Sequence, residues 1–476
     1  MHEGEIASAV GSSSLSDNEE AGVPQAGGGE GEEELGLPKS RWYHSTLFNI
    51  ILVGAISFTQ PGIWAALNST GAGGQQEPYL VNGANALIFG IMTFGCPLFG
   101  VLANKFGLKP MLIIGTLGLA PYSAALYVNN RYGVAWYVLV GAVTCGISGA
   151  ALWTTESAVA VGYAPPHQRG MYVAIWLGLR EFGQIIGASI QLGLNHRLGQ
   201  LGKVTYGTYL ALIGIQCVGL PLALLFTSPH KAIRPDGRVV AVANSGGMGS
   251  QSFRLKDCWA VLRQRWVWML IPVAMCFQWN NTYGSIYLTR YFSVRARTLA
   301  SLVAGVAVTV ADFLTGWFLD LKCFTRPAKA KIIIIGFSIA LALGLFPWQL
   351  TNEYDYSSAE SVTIDWSSTG FGRAFAVHIF FRFFNEAHIV FIFWLVGAFT
   401  RNAQTVTLAC GLINGFEALG STLANGIGAA RIAPVANLWV AFGVFLCSVP
   451  PTIMVAWMVP RQPKGTDPAE ALDAKG

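Results

Sequence analysis

Twelve apolar runs, each of 20 residues or more, follow one another between residues 44 and 459, separated by hydrophilic breaks. A run of about 20 residues matches the thickness of a bilayer's hydrocarbon core when coiled as a helix. No water is available there to satisfy the backbone, so such runs must be helical. Barrel strands would be about ten residues long and alternate in polarity, and these runs do not. The expected spans are 44–66, 79–103, 109–128, 134–162, 168–195, 205–227, 266–289, 298–320, 331–350, 372–399, 402–429 and 435–459. Only 12% of the 476 residues are charged and 53% are hydrophobic. Soluble domains carry roughly 25% charged residues, so a soluble globule is excluded. The expected fold class is an all-α polytopic membrane protein with twelve transmembrane helices in two six-helix halves.

The net charge of +5 hides an uneven distribution, because nine of the 25 acids lie in the first 40 residues. The membrane part is therefore strongly basic, which reads as loop topology and not as nucleic-acid binding. The tails and the even-numbered loops collect 20 of the 30 Lys and Arg residues, and the opposite loops hold eight. Arg180 and Arg382 lie inside spans. The richer side is expected to face the cytoplasm, with both termini, in a plasma membrane or an endomembrane. Asn68-Ser69-Thr70 then falls in the first external loop as a glycosylation acceptor. The sequon at Asn280 lies inside span 7 and is expected to be inert. Arg290, Arg295 and Arg297 stand against the charge rule in the external loop after span 7.

Residues 1–40, rich in Gly, Ser and Glu, read as a disordered cytoplasmic tail. A first six-helix bundle is expected over 41–228, a cytoplasmic linker over 229–264, a second bundle over 265–460 and a tail over 461–476. The acidic stretch 351–371, with Glu353, Asp355, Glu360 and Asp365, reads as a solvated external loop. Six of the eight cysteines sit in apolar runs, where Cys acts as a small hydrophobe. No pair has metal-ligand spacing, so neither metal nor other cofactor is expected. Nucleophile-elbow, phosphate-loop and metalloprotease-helix motifs are absent, so an enzyme is not expected.

A cationic turn, Gly100 through Pro110, joins spans 2 and 3 and carries Asn104, Lys105, Gly107 and Lys109. At an offset of 216, Cys96, Gly100 and Asn104 fall on Asp312, Gly316 and Asp320 of span 8. At an offset of 233, Gly178, Glu181, Gln184 and Gly187 of span 5 fall on Gly411, Asn414, Glu417 and Gly420 of span 11. These matches read as parallel repeats. The turn, the twelve spans and the long central loop resemble the major facilitator superfamily. Asn129 to Gly133, Gly141 to Ser148, Trp153 to Glu156, Gly162-Tyr163 with His167, Arg169 and Gly170, Asn195, the Gly219-Leu220-Pro221 to Ser228-Pro229 region and Asp236-Gly237 are similar to its fungal uncoordinated-ninety-three-like branch. The resemblance implies a facilitator fold around a central cavity, but no substrate, because such relatives include a trafficking chaperone and a potassium-channel regulator. The superfamily usually has Asp where this chain has Asn104. There it implies a lock of span 2 on the start of span 11, in which Asn104 would accept from N–H groups more weakly. Asp312, Gly316 and Asp320 are assigned to the second gating hairpin.

Charges inside lipid are costly, about 2.5–3.5 kcal/mol each on insertion scales, unless they face protein or water. Glu156, Arg180, Glu181, Asp312, Arg382, Glu386 and Glu417 are so placed, with His378 and His388. His378, Arg382 and Glu386 recur at spacing four and share a helix face. Either Arg382 and Glu386 pair within their helix, or the face is a relay for substrate or protons. Arg180 and Glu181 point about 100° apart, so they are expected to serve one site unequally. Arg180 is expected to reach Glu156 on the adjacent span or to grip an anionic solute. Spans 1 and 7 add Gln60 and Trp64 beside a Pro61 helix break, and Gln278 with Asn281. Amide and aromatic groups together suit a small polar organic ligand, or serve helix–helix bonding. The cavity candidates are Gln60, Trp64, Arg180, Glu181, Gln278, Asn281, His378, Arg382, Glu386 and Glu417. The leading reading is an alternating-access transporter of a small polar or ionic solute in the lipid bilayer, with protons moving through Glu386, Glu417 or Glu181. The rival is a non-transporting regulator or chaperone of another membrane protein.

Overall fold

The computed structural model describes residues 42–69, 78–195, 205–229, 231–235, 239–240, 255–357, 363–400, 403–429 and 433–461. The acidic tail, the middle of the connector and all but Arg461 of the C-terminal tail lie outside the described residues. Among those described, β pairing is confined to isolated bridges, and everything else of length is helical.

The first six spans are α1 (Thr46–Asn68), α2 (Pro78–Phe106), α3 (Leu108–Tyr132), α4 (Ala135–Gly162), α5 (Arg169–Asn195) and α6 (Tyr206–Leu225). The second six are α7 (Arg265–Tyr291), α8 (Val294–Asp320), α9 (Arg326–Ser357), α10 (Phe371–Phe399), α11 (Ala403–Ala429) and α12 (Pro434–Met458). Eleven of the described helices are long and apolar enough to cross a membrane by themselves. The twelfth, α7, is as long but less apolar, because Gln278, Asn280, Asn281 and Thr282 interrupt its middle. It packs against α10, α11 and α12, so protein covers those groups where lipid cannot.

The two repeats meet in a symmetric way. Helix α2 runs along α11, and its repeat equivalent α8 runs along α5, the equivalent of α11. The 216 and 233 offsets relate the two pairs, α2 to α8 and α11 to α5. Helix α1 breaks where Thr59-Gln60-Pro61-Gly62 requires it. Pro61 removes one backbone donor, and the turn widens to a π-helix over Phe58–Gly62.

Two readings of the loops need correction. Span 9 is longer than expected and runs past a second π-turn at Ala340–Leu345 into the acidic stretch. Glu353 is buried there and accepts from Tyr283 Oη at 2.5 Å and Tyr291 Oη at 2.8 Å. Asp365 is buried as well, held by Arg295 and Ser293. Glu353 and Asp365 therefore tie the described parts of the stretch to α7 and α8, which also accounts for the misplaced Arg295, and Glu360 lies outside the described residues. The start of the connector is likewise built into the bundle. Ile233 pairs with Ser45 and Val239, and Arg234 Nη2 donates to Gly162 O at 3.0 Å.

Candidate functional site

Two contiguous cavities lie between the halves, enclosing about 640 Å³ and 730 Å³ including open space at their mouths. Both are lined by Trp64, Gln184, Gln278, Asn281 and Arg382. The inner one adds Trp153, Glu156, Trp176, Arg180, Glu181, Asn414 and Glu417. The outer one reaches away from the Gly100–Pro110 turn through His378, Asn68 and Asn85.

The charged side chains pair across the seam and not within one helix. Arg180 of α5 binds Glu386 of α10, and its Nε also donates to Glu181 at 3.0 Å. Arg382 of α10 donates to Asn281 and lies 3.7 Å from Glu181 Oε2. The intrahelical Arg382–Glu386 pair and the Arg180–Glu156 pair are both replaced by this crossed arrangement. Long side chains allow it: Arg180 bends over Glu181, so adjacent residues serve one site after all. Neither guanidinium is left free to grip an anion by itself. Glu156 instead accepts from Trp176 Nε1 at 3.2 Å.

Other candidates divide. Trp64, Gln278, Asn281, His378 and Glu417 line the cavities. Gln60 does not. It is fully buried and its Nε2 donates to Gln216 O at 2.6 Å, tying α1 to α6. Asp312 is not at the hairpin either. It is wholly buried eight residues earlier on α8, within electrostatic reach of Arg180, Arg382, Glu181 and Glu386. Trp153, Trp176 and Asn414 also line the inner cavity, beyond the candidates. Asn414 Nδ2 donates to Ser157 Oγ at 2.8 Å, joining α11 to α4, and its match to Glu181 across the repeats was the available signal. Asn68 accepts from Asn85 Nδ2 at 3.2 Å near the outer mouth.

Beneath the cavity the hairpin end is shut. Trp176 and Phe393 meet edge to face at 5.5 Å. Below them Asp320 accepts from Gly170 N at 2.9 Å and Met171 N at 2.7 Å, capping the start of α5. The equivalent Asn104 acts as a donor, not an acceptor: its Nδ2 gives one bond to Gln404 O at 3.1 Å on α11. Arg169 donates to Gly397 O of α10, and Arg326 Nη2 to Pro166 O at 3.1 Å. Gly100 and Gly316 let the paired helices approach, against Thr407 and Gly170 respectively. Gly107 turns the hairpin with φ +95°, a left-handed backbone that suits Gly. Lys109 Nζ donates to Leu224 O at 2.7 Å, and Lys105 lies 5.2 Å from the Phe106 ring.

Twelve spans in two symmetric halves, a polar chamber at mid-depth and a closed end define a transporter-type membrane protein. The chain matches the Major Facilitator Superfamily over residues 44–423. It is 33% identical to notoamide biosynthesis cluster protein O' of Aspergillus versicolor, over 81% of this chain and 83% of that protein. An UNC93-like protein of Schizosaccharomyces pombe is 27% identical over 87% and 82%. UNC93-like protein 1 of Arabidopsis thaliana is 24% identical over 92% and 96%. Among solved structures, the fucose:proton symporter of E. coli aligns with a TM-score of 0.56 at 15% identity, over 88% of this chain and 100% of that one. The chain belongs to the major facilitator superfamily, in its UNC93-like branch.

Proposed function

We propose that the protein moves a small polar or ionic solute by rocking its two halves about the central chamber. The observation that carries this reading is the crossed pairing of Arg180 with Glu386 and of Arg382 with Glu181. These ties join the halves at the solute's depth, so a solute that competes for them changes how firmly the halves are held. The latches of Asp320 and Asn104 then act as the inner gate, and the geometry described is the outward-facing state. The hairpin side and both termini are assigned to the cytoplasm from the Lys and Arg distribution. Asn68 then lies on the external side, where its sequon is available for glycosylation. Glu181, Glu386 and Glu417 are the groups assigned to proton coupling. In proteoliposomes, solute uptake should be lost in Arg382→Ala.

A second reading, a non-transporting regulator or chaperone of another membrane protein, is favoured by one observation. Neutral Asn104 makes a single bond where Asp320 makes two. Stoichiometric co-purification with a second membrane protein, without uptake, would support it.

A further inference from the structure

We infer that the inner chamber is built for an organic cation, an amine or quaternary ammonium on an aromatic or alkyl body. This rests on the chamber being the solute site. Three carboxyl groups line it, Glu156, Glu181 and Glu417, with Glu386 and Asp312 in electrostatic reach of the same arginines, and none of the five is more than 3% exposed. Two guanidinium groups oppose them. Arg180 is committed to Glu386 and Glu181, and Arg382 to Asn281 and Glu181. His378 faces the outer chamber. That leaves Glu156 and Glu417, which both line the inner chamber, outside any ion pair among the described residues. Oε1 of each is buried and makes no hydrogen bond among the described residues. Buried Asp312, with both oxygens likewise unbonded, is a further carboxyl within electrostatic reach of the same cluster.

A buried carboxyl without a partner holds a proton or awaits a counter-charge, and an entering cation stabilises its anionic form. The walls select what kind. Trp64, Trp153, Trp176 and Phe393 line the same chamber, and aromatic faces attract ammonium groups, quaternary ones included. No set of three metal-ligating side chains occurs among the described residues, which disfavours a bare metal ion. An anion would meet two guanidinium groups already paired and two carboxyl groups outside any ion pair among the described residues. A neutral solute would leave Glu156 and Glu417 as they are. Trp64 Nε1 also lacks an acceptor among the described residues, so an oxygen beside the cationic centre would complete the fit.

The test uses the full chain in detergent and benzyltrimethylammonium, which has no proton to give, with benzenesulfonate as its anionic counterpart. Tryptophan fluorescence should report saturable binding of the cation and none of the sulfonate. The isosteric double variant Glu156→Gln/Glu417→Gln should weaken binding by about tenfold or more. A measurement on the unaltered protein guards against misfolding. Carbodiimide labelling of Glu156 and Glu417, read by peptide mass spectrometry, should slow when the cation is present. Equal binding of the sulfonate, or no binding of the cation together with unprotected carboxylates, overturns the inference. Distance measurements between the halves report on rocking separately. Rocking without cation binding sinks this inference alone, and cation binding without rocking sinks the transport reading alone.

Discussion

Arg180 of α5 is bound to Glu386 of α10, across the boundary between the two six-helix halves, although Arg382 stands one turn from Glu386 on its own helix. An intrahelical pair would have rigidified only α10. The crossed pair makes the closeness of the halves depend on charge inside the chamber. Replacing either partner by Gln should lower the melting temperature in detergent. Together, in a double-mutant cycle, Arg180→Gln and Glu386→Gln should show coupling of about 1–3 kcal/mol. Strict additivity would mean that the pair does not hold the halves together.

The two inner latches are unequal. Asp320 accepts two backbone N–H bonds at the start of α5 with a full charge, and Asn104 gives one neutral bond to Gln404 O. Charged hydrogen bonds are worth about 1.5–3 kcal/mol and neutral ones about 0.5–1.5 kcal/mol. Asp320→Asn should therefore expose hairpin-end cysteines to labelling much more than Asn104→Ala does. Asn104→Asp should also shift that exposure, because a carboxylate cannot donate to Gln404 O. An unchanged labelling rate in Asn104→Asp would remove the asymmetric gate from the account.

Close backbone approach seals the same end. A Cβ on Gly316 would lie 2.6 Å from Gly170 O, and one on Gly411 would lie 2.7 Å from Cys96 O. Both atoms are backbone and cannot swing aside. Gly316→Val and Gly411→Val should each force the paired helices apart and raise labelling at the hairpin end, while Gly214→Val, at a site with open space, should not.

Outside the spans, Asp365 is held well below the usual carboxylate range, chiefly by its bonds to Arg295 and further by Ser293 and Ser367. A carboxyl depressed in the folded state stabilises above its unfolded pKa of about 3.9 and loses that contribution as pH falls through the lower folded value. Its share of the melting temperature should thus be level from about pH 5 upward and shrink below about pH 4. Asp365→Asn should lower the melting temperature at pH 7 and leave it less changed at pH 3.5. Equal losses at both pH values would show that charge is not what holds Asp365 to Arg295.

The spans were legible because twelve runs of bilayer length leave the backbone one solution. The latches were legible in outline, since the 216 offset put Asn104 and Asp320 in corresponding places. Partner choice inside the chamber was not. Spacing along a helix says which residues share a face, but Arg180 and Arg382 are long enough to cross to another helix. Their partners depend on how the halves dock. Gln60 and Asp312 illustrate the same limit: each is polar at depth, and only packing separates a helix tie from a chamber wall. The acidic stretch was misjudged because its charge outweighed the tyrosines of α7 that bury Glu353.

Rocking is the central claim, and distances between the halves test it most directly. With the native cysteines replaced, spin labels at exposed Lys105 and Lys322 span the hairpin end, and labels at exposed Arg131 and Arg373 span the opposite end. In liposomes the account predicts two distance populations for each pair, with Asp320→Asn lengthening the first pair while the second shortens. A single population at both ends, unmoved by Asp320→Asn, would contradict it.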